Sequence, residues 1–157
     1  MNLFCFACRN IKNIQIGIDH QLWAVSSLSN QQAMAQRATR ARNYFHPGDY
    51  GLLYCNPLHS FTTPFIVRSH ADPHRIVNNV WPEAWALPFK IETLGNMSKL
   101  VSAQEAELNW SIVNRRMEAI NRRGGVSAAM NMTGATVFAP VDITQEDWRQ
   151  ICDDLCK

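Results

Sequence analysis

The stretch HPGDYGLLYCN, residues 46–56, joins a tight turn to a strand. In Pro47-Gly48-Asp49 the proline presets φ, the glycine accepts a positive φ and the aspartate side chain can hydrogen-bond the backbone just ahead, so a turn is predicted. Residues 49–55 follow as a short apolar and aromatic run that Asn56-Pro57 closes, which indicates a strand. The aromatic residues around this strand either fill a core or line a pocket.

Further strands are predicted on both sides of this turn. Apolar residues alternate over 14–18 and continue at 22–25, which favours a strand or hairpin leading into Trp23. Residues 61–69 and 86–94 are predicted to be strands. In 86–94 apolar and charged residues alternate, which predicts one solvent-exposed face. Pro64 lies inside the first of these two strands and predicts an edge or a bulge there.

Helices are predicted where caps precede a helical repeat. The run from Ser29 to Gln32 supplies a cap for residues 33–45. A capping box at Ser102 and Glu105 opens a helix that Gly124-Gly125 ends. Thr144 caps a C-terminal helix over 144–157, and a short strand is predicted at 135–138. Strands early and helices late predict an α+β fold with a curved antiparallel sheet.

Length and composition limit the class of protein. The chain has 157 residues, 46% of them hydrophobic and 18% charged, which favours one globular domain over 1–157 and excludes a disordered chain. No apolar run approaches the roughly 20 residues of a membrane helix, and the start lacks the pattern of a secretory leader, so we expect a cytoplasmic protein.

Neither the cysteine spacing nor any known catalytic motif indicates an enzyme. Five cysteines make an odd number, and Cys5-Phe-Ala-Cys8 would need a second ligand pair to hold a metal. Cys152 and Cys156 lie one helical turn apart and are the candidates for that pair, although burial in the core is the more usual fate of such cysteines. The sequence has no nucleophile elbow and no phosphate loop. We therefore expect no enzyme, no metal and no cofactor.

Arginine outnumbers lysine and forms two groups. One group holds Arg37, Arg40 and Arg42, and the other lies at residues 115–123. Guanidinium groups suit phosphate, which makes both groups candidates for a nucleic-acid surface. Two solvated helix faces are the structural alternative.

Five tryptophans are many for this length. Trp23, Trp81 and Trp85 fall in the predicted sheet or its loops, and the last two bracket Pro82-Glu83-Ala84. Indole faces can stack on nucleobases, at about 1–3 kcal/mol per base. Hydrophobic plugs that close the end of a barrel are the alternative explanation.

The order of these pieces resembles the EVE family of PUA-like domains, relatives of the YTH readers of methylated RNA and of base-reading modules in modification-dependent restriction systems. The resemblance is carried by LWAV (22–25), Arg42-Asn43-Tyr44, GDYGLLYC (48–55), PFIVRS (64–69) and the segment W-P-E-x-W-x-L-P-F-x-I-E (81–92). It implies a small β-barrel flanked by helices, with a pocket for a modified base flipped out of its stack. Residues 1–12 precede the resemblance and are expected to be either a poorly ordered extension or an added strand.

The resemblance and the aromatic placement together imply a reader without catalysis. Its base pocket would use Trp23, Ser26, Asn43, Tyr44, Trp81 and Trp85, and its phosphate contacts would be Arg37, Arg40 and Arg42. The implied partners are DNA or RNA with a modified base and a separately encoded effector protein. A protein-interaction module built on the aromatic loop, or an enzyme acting on nucleotides or RNA, are the alternatives.

Overall fold

A curled, mixed sheet flanked by helices forms the architecture of residues 1–156, which the computed structural model describes. The strands are β1 (Asn2–Cys8), β2 (Leu22–Ser26), β3 (Tyr50–Cys55), β4 (Ser60–Val67), β5 (Ile76–Val77), β6 (Trp85–Thr93), β7 (Val101–Ser102) and β8 (Val141–Asp142). The helices are α1 (Ile11–His20), α2 (Gln31–Tyr44), α3 (Ala103–Asn109), α4 (Ser111–Ala119), α5 (Gly125–Ala129) and α6 (Gln145–Leu155). The α+β fold expected from the sequence is confirmed. Over residues 1–156, no helix combines the length and apolarity needed to span a membrane.

The sheet runs in the order β2-β6-β4-β3-β1-β8, with β5 beside β6 and β7 beside β4. All pairs are antiparallel except β1 with β3. The sheet is therefore mixed, and the antiparallel sheet expected from the sequence is corrected at this one pair. Parallel neighbours need a long crossover, and the chain between β1 and β3 supplies one through α1, β2 and α2.

Of the two alternatives for the start of the chain, the added strand is correct, and it is an interior strand of the sheet. β1 lies between β3 and β8, with Phe4 and Phe6 buried on one face and Leu3 and Cys5 on the other. A strand buried on both faces shows no polar alternation, so its sequence does not resemble a half-exposed strand.

The strand expected at residues 14–18 is instead part of helix α1. The Asn10 side chain accepts a hydrogen bond from the Lys12 amide at 2.9 Å and caps this helix. Isoleucine at every second position also satisfies a helical repeat when Ile14 and Ile18 are counted, so periodicity was ambiguous here. Gly17 matters for packing, because a Cβ there would lie 2.7 Å from the Trp23 ring.

The predicted strands at 49–55, 61–69 and 86–94 are confirmed as β3, β4 and β6, and the predicted helix at 33–45 is confirmed as α2. The side-chain cap of α2 is Asn30. The register of β3 and β4 shifts between Leu53 and Tyr54, which leaves Thr62 as a bulge two residues before Pro64. The bulge expected near this proline is therefore present.

The C-terminal third differs more from its sequence pattern. The capping box at Ser102 is present, but the single helix expected up to Gly124 breaks at Trp110, whose backbone is extended. The strand expected at 135–138 is wrong, because this segment is a turn. The last helix, expected over 144–157, is confirmed as α6 up to Leu155, with Thr144 as its cap, and Lys157 lies outside the described residues.

Two clusters of buried side chains lie on opposite faces of the sheet. The first, here the aromatic core, contains six phenylalanines and three tryptophans: Phe4, Phe6, Phe45, Phe65, Phe89, Phe138, Trp23, Trp81 and Trp85. The second, here the C-terminal core, packs helices α3–α6 on the sheet through residues that include Phe61, Trp110 and Ile151. Cys5 belongs to the C-terminal core and Cys8 to the aromatic core, so the two sulfurs of the CxxC motif face opposite ways.

Candidate functional site

A cleft of about 670 Å³ opens at one end of the aromatic core. Its walls are the end of β1, helix α1, strand β2, the loop before β6, one residue of α2 and the segment 132–137. Elements that are far apart in sequence therefore converge on one concavity. A cleft of this size with mixed apolar and polar walls suits a ligand as large as a nucleobase.

Three tryptophans form the apolar wall and its backing. The Trp81 and Trp85 rings are stacked, with centroids 4.3 Å apart and planes inclined by 19°. Trp23 meets both edge-on, at 5.8 Å and 5.2 Å. Trp23 and Trp85 line the cleft, whereas Trp81 lies behind them. Because Trp81 and Trp85 are already in contact, no base fits between them in this conformation.

Local backbone irregularity places Trp23 at this wall. The pairing of β2 with β6 shifts between Trp23 and Val25, so that β6 has one more residue than β2 at this point. Leu87 of β6 takes a positive φ of 55° at the same place. Bulges of this kind redirect side chains, and here Trp23, Ala24 and Val25 all line the cleft.

Asn13 is a polar residue of the cleft that the sequence did not single out. It is 3% exposed, and its Nδ2 donates to Glu83 Oε1 at 3.1 Å. Its backbone oxygen accepts a hydrogen bond from Trp81 Nε1 at 3.0 Å. The Asn13 Oδ1 atom is buried without a partner. Such an orphan acceptor costs about 1–3 kcal/mol, which makes it a functional candidate.

Arg37 of α2 also lines the cleft, but it is mainly occupied with the backbone. Its guanidinium donates to the carbonyl oxygens of Ser26 at 3.0 Å and Gly134 at 3.3 Å, while Nε is buried without a partner. Burial, and then the charge of Arg40, lower the pKa of Arg37. Arg37 therefore ties β2 to the segment 132–137, and its buried Nε donor has no partner.

The other candidate residues are divided between the cleft and the surface of α2. Ser26 lines the cleft and is exposed. Arg40 donates to the Val137 carbonyl oxygen at 2.8 Å. Arg42, Asn43 and Tyr44 lie in the last turn of α2, exposed and outside the cleft walls. The structure thus brings Trp23, Ser26, Trp85 and Arg37 together and leaves Arg42, Asn43 and Tyr44 apart from them.

The second arginine group has structural partners. Arg115 forms a bidentate pair with Asp147, at 3.1 and 2.7 Å. Arg116 Nε donates to the Ala129 carbonyl oxygen at 2.7 Å, and Arg122 pairs with Glu107 at 2.7 Å. These contacts tie α4 and the turn after it to their neighbours, which accounts for three of the four arginines without a nucleic acid.

The thiols of β1 are unsuited to nucleophilic chemistry. Burial raises the pKa of Cys5 to about 12, and burial also raises the pKa of Cys8. Thiols in such surroundings stay protonated near neutral pH. Within residues 1–156, no three His, Cys, Asp or Glu side chains come together in a way that could hold a metal ion.

Comparison with solved structures identifies the architecture. The crystal structure of the Mmi1 YTH domain matches with a TM-score of 0.54 at 12% identity, over 98% of this chain and 93% of that one. The YTH domain of the Zygosaccharomyces rouxii MRB1 protein, in complex with N6-methyladenosine RNA, matches with a TM-score of 0.50 at 12% identity, over 68% and 64% of the two chains. The fold is YTH-like.

Comparison by sequence finds no relative of this chain. No protein-family model matches the chain, and no curated protein does. The expected relationship is therefore confirmed at the level of fold through the YTH domains, and membership of the EVE family stays a prediction. At 12% identity the likeness shows the fold, while the chemistry of the cleft has to be argued from its own residues.

Proposed function

We propose that this chain is a non-catalytic nucleic-acid-binding module that recognises a modified, flipped-out nucleobase, with RNA as the nucleic acid. The observation that carries the proposal is the cleft itself, where the indoles of Trp23 and Trp85 lie beside buried polar atoms of Asn13 and Arg37 that have no partner. An apolar wall with a few convergent polar groups is the usual composition of a small-ligand site. The YTH-like fold, seen with N6-methyladenosine RNA in the MRB1 domain, supports RNA as the nucleic acid.

The roles within the site follow from position. A base in the cleft would lie against the parts of Trp23 and Trp85 that border it, with Trp81 packed against both indoles. Ser26 and Asn13 would contact its polar edge. Flipping a base costs a few kcal/mol, and stacking on the indoles together with hydrogen bonds to otherwise unpaired atoms would offset that cost.

The phosphate contacts are proposed on the α2 side. Arg42 is exposed and can reach a backbone phosphate. Arg37 and Arg40 are held by carbonyl oxygens of the segment 134–137, so they would contact phosphate only from these fixed positions. Phosphate contacts position the strand without reading its sequence. A separately encoded effector remains part of the proposal, because a reader without chemistry of its own acts through another protein.

The alternative of a protein-interaction module used the aromatic loop as an exposed patch. Trp81 and Trp85 are only 3% and 7% exposed, so their rings are not available as a flat apolar surface. We therefore favour the cleft, which gives these rings a role without exposing them.

A steric block tests the proposal without removing any core side chain. Labelled single-stranded RNA with one modified base is titrated with protein and followed by fluorescence anisotropy, beside the same RNA without the modification. We expect at least one modified base to bind about tenfold tighter than its parent, with a ratio that persists at moderate salt. Ala84→Trp should abolish this difference, since Ala84 lines the cleft and is exposed.

Ala119→Trp is the matched control, because it adds the same bulk to an exposed position of α4 that does not line the cleft. It should bind as the wild type does. Equal affinity for every RNA with a steep salt dependence would indicate charge alone and contradict the proposal. Full selectivity in Ala84→Trp would place the site elsewhere.

A further inference from the structure

Glu83 fixes which way the Asn13 amide points. An ionised carboxylate only accepts hydrogen bonds, so the Asn13 atom that lies 3.1 Å from Glu83 Oε1 has to be the amide nitrogen. The amide oxygen is then directed away from Glu83, and it is the buried atom without a partner. Trp81 Nε1 holds the backbone of the same residue, so Asn13 is restrained from two sides.

On the α1 side of the cleft, Asn13 and Glu83 consequently present acceptors, whereas the unpaired donor of Arg37 belongs to α2. Asn13 Oδ1 is buried and unpaired while its Nδ2 is occupied, and Glu83 carries a second carboxylate oxygen. Both residues line the cleft together with Trp23 and Trp85. A base edge with an acceptor in the middle would face another acceptor here, whereas an edge with two neighbouring N–H groups would satisfy both oxygens.

We infer that the cleft selects a base whose edge carries a ring N–H next to an amino N–H, and that Glu83 is the residue that sets this preference. This inference rests on the proposed function. Guanine has that arrangement at N1 and its 2-amino group, and a single methyl on the amine still leaves one N–H. Adenine pairs its amine with the acceptor N1, which leaves one oxygen of the cleft without a donor.

Two singly methylated bases make a matched test. N2-methylguanine and N6-methyladenine are placed at the same unpaired position of one labelled RNA and titrated with the wild-type protein. The wild type should bind N2-methylguanine about tenfold tighter, which is the discrimination typical of a pair of hydrogen bonds to one base edge. Glu83→Gln should reduce that ratio about tenfold, because the amide oxygen can still accept from Asn13 while its NH₂ offers N1 of adenine a donor.

Glu118→Gln is the control for the change of charge. Glu118 is exposed on α4 and does not line the cleft, so its variant should keep the wild-type ratio. Thermal unfolding of both variants checks the fold, which should hold because Glu83 is also exposed.

The outcomes separate this inference from the proposed function. If the wild type binds N6-methyladenine as tightly as N2-methylguanine or tighter, the donor-edge inference is overturned and the base reader stands. If the ratio does not change in Glu83→Gln, the role assigned to Glu83 is wrong. If neither RNA binds better than its unmodified parent, and no other modified base does, both proposals fail.

Discussion

The two faces of the sheet each carry a buried tryptophan, and the pair shows how a core differs from a site. Trp110 is 1% exposed, packs on Phe61 and donates from Nε1 to Asp154 at 2.8 Å. Trp23 is 2% exposed and packs on two other indoles, yet it borders the cleft and its unpaired polar atoms. Burial alone does not distinguish the two residues. What distinguishes Trp23 from Trp110 is the open volume of the cleft and the unsatisfied polar atoms beside the ring.

The largest expected effect is the loss of stability when either indole is removed. Trp23→Ala and Trp110→Ala should each lower the free energy of unfolding by about 3–5 kcal/mol, because both leave a cavity in a packed core. Urea denaturation measures this loss. A loss below about 1 kcal/mol at Trp23 would mean that the Trp23 side of the sheet is loosely packed and that the two faces are not equivalent in stability.

Phenylalanine at the same two positions separates stability from binding, because it retains most of the packing. Trp23→Phe should weaken selective RNA binding several-fold, since a smaller ring gives less stacking area. Trp110→Phe should leave RNA binding unchanged, because Trp110 lies in the C-terminal core. Equal losses of binding in both variants would show that the change acts through the fold.

Local patterns were sufficient for much of this fold. The alternation in β6 and the caps at Ser102 and Thr144 are short-range signals, and each corresponds to an element of the structure. The strand β1 was only one of two expectations for residues 1–12 and the helix α1 was missed, both for physical reasons. β1 is buried on both faces, and the isoleucines of α1 satisfy strand and helix periods alike.

The candidate site was harder to predict than the fold. Aromatic placement indicated Trp23 and Trp85, but the orphan oxygen of Asn13 depends on the approach of Glu83, 70 positions further along the chain. Arg37 could be recognised as a candidate from charge, yet its bonds to Ser26 and Gly134 follow only from tertiary structure. Sequence identifies residue types for a site, whereas unpaired atoms are a property of packing.

A medium effect is confined to the C-terminal face. Burial raises the pKa of Asp147, but hydrogen bonds from Arg115 and Thr144 outweigh it and hold that pKa below its usual range. The carboxylate also completes the cap of α6. Asp147→Asn should therefore cost about 1–2 kcal/mol of unfolding free energy near neutral pH, with RNA binding unaffected.

The pH dependence of this difference has a definite sign. Because the folded-state pKa lies below the ordinary aspartate value of about 3.9, the stabilisation is complete above that value and is lost as the pH falls through the folded-state pKa. Denaturant titrations of wild type and Asp147→Asn from pH 7 to 2.5 should converge in acid. A difference that stays constant with pH would assign the effect to the cap geometry alone.

The smallest expected effect is a change in the salt dependence of RNA binding with almost no change in stability. Arg42 is exposed in the last turn of α2, on the side where the proposed strand would pass, so Arg42→Met should change the unfolding free energy by less than about 0.5 kcal/mol. If Arg42 neutralises one phosphate, the slope of log K against log salt should fall by about 0.7 for single-stranded RNA, with the preference for the modified base retained. Arg123→Met removes an equally exposed charge beyond α4 and should leave the slope unchanged. Equal slopes in both variants would move the phosphate path away from the end of α2, whereas a loss of base preference in Arg42→Met would make the end of α2 part of the same site as the cleft.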